Sequence, residues 1–158
     1  MQIRPIFGVI LVALLLGTGL TACPRAAAQA SIGSFSISSP TLSFPSLSPE
    51  TTASLAALQN PILLSFSVSG TISWILEAET TTDLTCGGST IPIDSLTWTS
   101  GSPNFDASGT MQKNMPTQVA SGMTSGAFSG AISYFLANRW TAPAGTYTST
   151  ITYTLIAL

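Results

Sequence analysis

Hydrophobic and polar residues alternate with a period of two along most of the chain after residue 30. The clearest alternating segments are residues 34–38, 64–68, 74–79 and 147–155. Such a segment forms a β-strand with one face toward the core and the other toward water. Turn sequences rich in Gly, Pro and Ser separate these segments. About seven short strands without a convincing helix predict an all-β fold. We expect a single antiparallel β-sandwich, Ig-like or jelly-roll-like, over residues 31–158.

Two segments follow the alternation less clearly. Residues 51–59, TTASLAALQ, fit either a helical turn or a strand or loop, and the strand or loop is favoured. Residues 100–125 are polar and contain Met111, Met115 and Met123. We expect this segment to be a long hairpin excursion over one end of the sandwich, with a ligand-binding loop as the alternative, because loops on rigid β-scaffolds often carry binding residues.

Residues 1–30 have the organisation of a signal peptide. Arg4 precedes an apolar stretch over residues 6–20, which is shorter than the ~20 residues of a membrane-spanning helix. The triplet Ala28-Gln29-Ala30 fits a signal-peptidase site and makes Ser31 the first mature residue. Leu20-Thr21-Ala22-Cys23 resembles a bacterial lipobox, in which Cys23 is lipidated. Export is predicted either way, and an uncleaved anchor is a third alternative.

Charge is scarce in this chain, and its scarcity excludes several classes of partner. Charged residues make up 6% of the sequence, and the net charge is −2. Of the four basic residues, Arg4 and Arg25 precede the predicted mature start, which leaves Lys113 and Arg139. Nucleic-acid binding needs more cations than that. Contact with a membrane is therefore expected only through a lipid anchor at Cys23.

The sequence offers little support for catalysis or for a cofactor. It contains no histidine, which excludes Ser-His-Asp and Cys-His catalysis and His-containing zinc sites. Glu77 and Glu79 share one face of a strand, as solvated residues usually do, rather than flanking a glycosidase cleft. Three scattered aspartates could gather calcium at the strand ends, but they lack the spacing of a calcium loop; they are Asp83, Asp94 and Asp106. We predict no enzyme activity, catalytic residue, metal site or cofactor.

Cysteine and aromatic residues leave alternatives open. If Cys23 is removed or acylated, Cys86 is single; it then packs as a small apolar residue, forms an inter-subunit disulfide or remains a reactive thiol. Burial is favoured among these. Trp98 and Trp140, with Tyr134, are candidate glycan contacts. The favoured interpretation is that these aromatic residues belong to the core or its rim.

Two stretches resemble the WxL domain, a secreted surface domain of Gram-positive bacteria. Trp74-Ile75-Leu76 matches its Trp-x-Leu motif. Its C-terminal motif is matched by Tyr147, Ile151, Thr152, Tyr153 and Leu155, with Tyr153 where the family has tryptophan. The terminal strand is also similar to spore-coat-protein-U-like and pilin-like domains. The WxL resemblance implies a non-catalytic β-sandwich attached non-covalently to the cell wall. The alternative from the residues themselves is that these side chains simply fill the core.

Together these features predict a non-enzymatic protein of the bacterial cell surface or extracellular space. Its expected role is structural or adhesive, and its expected partner is a component of the wall or envelope. One alternative is a pilus-like or coat-like subunit that assembles with like subunits by β-strand addition, with Phe35 and Ile37 on the donor strand. A carbohydrate-binding module is the second alternative.

Overall fold

The computed structural model describes residues 30–46, 48–70, 73–139 and 143–158. Within them it contains thirteen β-strands and one 3-10 turn, Ile93–Ser95. The strands are β1 (Ser31–Ile37), β2 (Thr41–Phe44), β3 (Ser54–Ala56), β4 (Ile62–Ser69), β5 (Trp74–Glu79), β6 (Leu84–Cys86), β7 (Ser89–Ile91), β8 (Leu96–Thr99), β9 (Ser108–Thr110), β10 (Thr117–Gly122), β11 (Gly126–Ala137), β12 (Tyr147–Thr150) and β13 (Thr152–Ala157). The predicted signal peptide and Cys23 lie outside the described residues.

The first layer of the fold is a six-stranded antiparallel sheet. Its strands lie in the order β1-β4-β11-β8-β9, and β3 pairs with the last residues of β11. The long strand β11 holds this layer together, because its first half pairs with β4 and its second half with β8. Strand β1 therefore forms one edge of the sheet and β9 the other.

Two smaller antiparallel sheets form the second layer. One has the order β10-β5-β13, and the other has the order β2-β12-β6-β7. They are linked through the end of the chain, where β12 and β13 are separated only by Ile151. The Ile151 N–H donates to the Pro40 carbonyl, 2.9 Å away, so this junction is itself held by a backbone hydrogen bond.

Aromatic side chains from the two layers meet in one shared core. Phe66 on β4 and Phe128 on β11 contact Trp74 on β5, with ring centroids 4.9 and 4.5 Å from the indole. Farther along, Tyr134 on β11 reaches Tyr153 on β13. Burying such large apolar surfaces supplies most of the driving force for folding. The predicted all-β antiparallel sandwich is confirmed.

Two details differ from the sequence-based expectation. Thirteen strands replace the predicted seven or so, because turns and bulges divide the chain into many short segments. The polar segment 100–125 is not an excursion, since β9 extends the first layer and β10 pairs with β5 in the second. Met111 lies fully buried between them. Residues 54–56 form β3, as the favoured strand or loop assignment of that region expected.

Candidate functional site

The two stretches that resemble WxL motifs lie on neighbouring strands. Strand β5 carries Trp74 and Leu76, and it pairs antiparallel with β13 along its whole length. Leu155 lies directly opposite Leu76, and Tyr153 lies opposite Ala78. Residues separated by about half of the chain therefore meet across one ladder of backbone hydrogen bonds.

Most of the motif side chains point into the core. Trp74 and Leu76 are fully buried, and the C-terminal motif residues Tyr147, Ile151, Tyr153 and Leu155 are buried as well. Thr152 is exposed on the opposite face of β13, where it lies opposite Glu79. Any partner of this sheet therefore meets the outward residues of the two strands rather than the motif aromatics.

The indole of Trp74 is held from several sides. Its Nε1 donates a hydrogen bond to the Thr124 carbonyl, 3.1 Å away, in the turn between β10 and β11. Gly122 lies directly over the ring, and a Cβ at that position would come within 2.5 Å of it. The absence of a side chain at Gly122 is thus what lets β10 pair closely beside Trp74.

Tyr134 and Tyr153 form a buried polar pair between the two layers. Their hydroxyl oxygens are 2.6 Å apart and share a hydrogen bond. Burial raises the pKa of both hydroxyl groups, so both are neutral over the physiological pH range. Each hydroxyl group provides the other's hydrogen-bond partner in the core, where an unpaired polar group would lower the free energy of unfolding.

The aromatic residues considered as glycan contacts are not arranged as a sugar platform. Trp98 is only 1% exposed, and Gly109 packs against its indole. A ring in this position has no free face for a sugar, so the glycan-contact prediction is corrected for Trp98. Tyr134 is buried too. Trp140 lies outside the described residues, and its predicted glycan contact remains a prediction.

Two of the aspartates considered as calcium ligands, Asp83 and Asp106, have separate hydrogen-bond partners. Asp83 forms an ion pair with Lys113 at 2.9 Å, and it also accepts the Ile93 N–H. The hydrogen bond from Lys113 is the main reason that the pKa of Asp83 is lowered. Asp106 accepts a hydrogen bond from Gln118 at 3.3 Å. Among the residues that the structure describes, no three acidic or cysteine side chains form a group able to hold a metal ion.

Cys86 is a free, half-buried thiol at the end of β6. Its Sγ packs against Gly145, in the turn before β12, where a Cβ would collide with the sulfur. The sequence favoured burial for this residue, and the structure places it at the margin of the core instead.

Strand β1, the predicted donor strand, pairs with β4 of its own chain. Phe35 lies opposite Phe66, with the ring centroids 6.4 Å apart, and Ile37 lies opposite Leu64. Both side chains are half-buried against the core. Within the described ranges no strand pairs with the outer edge of β1.

One feature that the sequence did not single out is a row of hydroxyl side chains across the four-stranded sheet. Thr148 lies opposite Ser43 on one side and Thr85 on the other, and Thr85 lies opposite Thr90. We call these four residues the hydroxyl row. Their neighbours along each strand, such as Leu42 and Leu84, point into the core, so the row faces outward. In the sequence, Ser and Thr residues alternate with apolar residues along these strands, and this pattern indicates an exposed face. Only the pairing of the strands aligns the four residues of the hydroxyl row.

Comparisons with known proteins assign no family to this arrangement. No protein-family model, curated protein or solved structure matches the chain. Among the described residues, we find no helix with the length and hydrophobicity that crossing a membrane requires.

Proposed function

We propose that this chain is a non-enzymatic protein of the bacterial envelope that contacts wall polysaccharide through the hydroxyl row. The observation that carries the proposal is the alignment of one hydroxyl from each of four adjacent strands. With a strand spacing of about 4.8 Å, the row extends over roughly 14 Å. This distance is enough for consecutive sugar units to contact it.

The chemistry of the row suits a neutral, polyhydroxylated partner. A hydroxyl group both donates and accepts hydrogen bonds, as do the hydroxyl and amide groups of wall glycans. No charged side chain belongs to the row, so binding does not require an ion to lose its water. The row belongs to a rigid sheet whose inner face is anchored by Leu42, Phe44 and Leu84.

The experiment removes only the hydroxyl groups. We expect the triple variant Thr85→Val, Thr90→Val and Thr148→Val to bind insoluble peptidoglycan sacculi roughly tenfold more weakly than the wild type. Valine keeps the branched shape and the strand preference of threonine, while several hydrogen bonds of about 0.5–1.5 kcal/mol each are lost. The readout is the fraction of purified protein that pellets with sacculi over a range of concentrations.

A matched control comes from the opposite layer. Thr97, Thr99 and Thr110 are exposed on β8 and β9, and their substitution by valine changes the same number of hydroxyl groups. This control variant should bind sacculi like the wild type. Equal weakening of both variants, or no pelleting of the wild-type protein, would reject the proposed wall contact.

A second candidate function, a subunit that assembles by strand addition, rests on the position of β1. This strand is at a sheet edge, and it covers the β4 side chains Leu64, Phe66 and Val68 with half-buried apolar residues. An identical strand from another copy could form the same contacts after exchange.

Strand exchange predicts polymers whose fraction rises with protein concentration in size-exclusion chromatography. Removing residues 31–39 should abolish them, because the donor strand is then missing. A double variant, Phe35→Ser and Ile37→Ser, keeps the chain length and should weaken polymerisation in the same direction. Polymers that persist in both variants would rule out β1 as the donor.

A further inference from the structure

At one end of the sandwich, the strands that the structure describes carry no Asp, Glu, Lys or Arg side chain. This end is the one where β5 begins, with Trp74 opposite Gly122 on β10 and opposite Ala157 on β13. In the first layer, Ser31 opposite Ser69 and Gly126 opposite Val68 mark the same end. The strand and turn segments that build it contain no Asp, Glu, Lys or Arg; they are residues 30–38, 63–70, 73–76, 119–130 and 154–158. Asp106 lies in the loop beside β10, where its N–H donates to the Val119 carbonyl.

Apolar side chains face outward at this end. Met123, in the turn after β10, is 82% exposed, and Leu158, just after β13, is 57% exposed. The Leu158 N–H bonds to the Ser73 carbonyl, which places Leu158 beside the start of β5. Ile75 and Ile156 lie opposite each other on the outward face of these two strands, where both are half-buried. We call these four residues the Met123 patch.

The predicted export segment joins the sandwich at the same end. Strand β1 begins there at Ser31, and it also contacts β13, which finishes there. Seven residues lie between Ser31 and Cys23, the residue that carries lipid in the lipobox alternative to cleavage after Ala30. The eight Cα-to-Cα steps between them reach at most about 28 Å in an extended chain. A chain held by lipid at Cys23 would therefore keep this end close to the membrane.

Most of the charged side chains lie elsewhere in the described parts of the chain. Glu77 and Glu79 occupy the second half of β5, and the Asp83–Lys113 ion pair lies beyond its far end. The acidic residues outnumber the basic ones. Anionic lipid headgroups repel the part of the protein that carries these acidic residues. The boundary between headgroups and acyl chains instead favours exposed Met, Leu and Ile side chains.

We infer that the Met123 patch rests on the lipid surface when the exported chain is anchored, with the opposite end of the sandwich directed away from the membrane. The partner of the patch is thus a phospholipid surface. This contact directs the hydroxyl row away from the lipid, where it can contact the wall. The inference rests on the proposed envelope location and on the lipobox alternative, in which Cys23 carries lipid, and it adds a specific orientation to both.

Two exposed methionines at opposite ends of β5 provide the test without any change at the patch. Met115, 55% exposed, lies near Thr80 just after β5, because the adjacent Asn114 N–H donates to the Thr80 carbonyl. Chloramine-T, a charged oxidant, converts accessible methionines to sulfoxides. Cleavage by trypsin at Lys113 and Arg139 places both methionines in one peptide, residues 114–139. Mass spectrometry of that peptide then gives their oxidation ratio directly.

The comparison is between the full-length chain in the membranes of exporting cells and its Cys23→Ser variant released in soluble form. We expect the Met123:Met115 oxidation ratio to be at least about fivefold lower in the membrane-held protein. An equal ratio in the two samples would overturn the orientation while leaving the envelope location intact. Wild-type protein absent from the membranes would overturn the lipid contact too, whereas the proposed wall contact is decided independently by sacculus pelleting.

Discussion

Replacing Trp74 with alanine is expected to lower the free energy of unfolding by about 3–5 kcal/mol, the range for large aromatic truncations in a core. The indole is fully buried and contacts Phe66 and Phe128 from the opposite layer. Its removal leaves a cavity that the rigid strands cannot close, and the Thr124 carbonyl loses its donor. Because domains are stable by only about 5–15 kcal/mol, the variant should lose a large fraction of its stability.

Urea denaturation followed by circular dichroism measures this effect. The matched control is Ile75→Ala, the next residue of the same strand, whose side chain is half-buried on the outward face. The Ile75→Ala substitution should lower the free energy of unfolding by about 1 kcal/mol or less, because much of the Ile75 side chain already contacts solvent. If Trp74→Ala were no more destabilising than Ile75→Ala, the packing of the two layers around Trp74 would be refuted.

The paired hydroxyl groups of Tyr134 and Tyr153 give the second large effect. Either single phenylalanine substitution leaves one buried hydroxyl without its partner, which should cost about 1–3 kcal/mol. The double variant removes both polar groups and should recover most of that loss. A double-mutant cycle measured by urea denaturation at neutral pH isolates the coupling. Strictly additive single effects would contradict a shared hydrogen bond.

The same pair makes stability depend on alkaline pH. Burial raises the pKa of both tyrosines above the value of about 10 that they have in an unfolded chain. A group with a raised pKa in the folded state contributes stability that is complete below the unfolded pKa and is lost as pH rises above it. The free energy of unfolding should therefore fall as pH increases beyond about 10.

The double phenylalanine variant supplies the comparison for that pH dependence. It should lose stability much less steeply between pH 10 and 12, because neither buried hydroxyl remains to ionise on unfolding. Urea denaturation at several pH values gives the slopes. Identical slopes for the variant and the wild type would show that these two tyrosines do not control the alkaline transition.

Local pattern was sufficient to predict the fold class and the strongest strands. The alternation around Trp74 and Leu76 predicted which face of β5 is buried, and the structure agrees. Segment 100–125 was harder, because its strands are short and their pairing partners lie far away in the chain. Val119 and Ala120 provide the buried positions of β10, but a bulge interrupts the alternation between Gln118 and Ala120.

The candidate site depends even more on pairing that no local pattern contains. Thr148 was visible as one of several alternating threonines, but its alignment with Ser43, Thr85 and Thr90 follows only from the order β2-β12-β6-β7. Trp98 shows the converse difficulty. A tryptophan in an alternating strand fits either a core or an exposed platform, and its contact with Gly109 decides for the core.

We propose that the hydroxyl row, rather than the buried aromatics, contacts the wall. Methyl NMR of threonine-labelled protein titrated with soluble wall glycan fragments tests it most directly. We predict chemical-shift changes at Thr85, Thr90 and Thr148, with Thr97, Thr99 and Thr110 unchanged. Changes confined to Thr97, Thr99 and Thr110, or no change at any threonine, would show that the hydroxyl row does not bind the glycan.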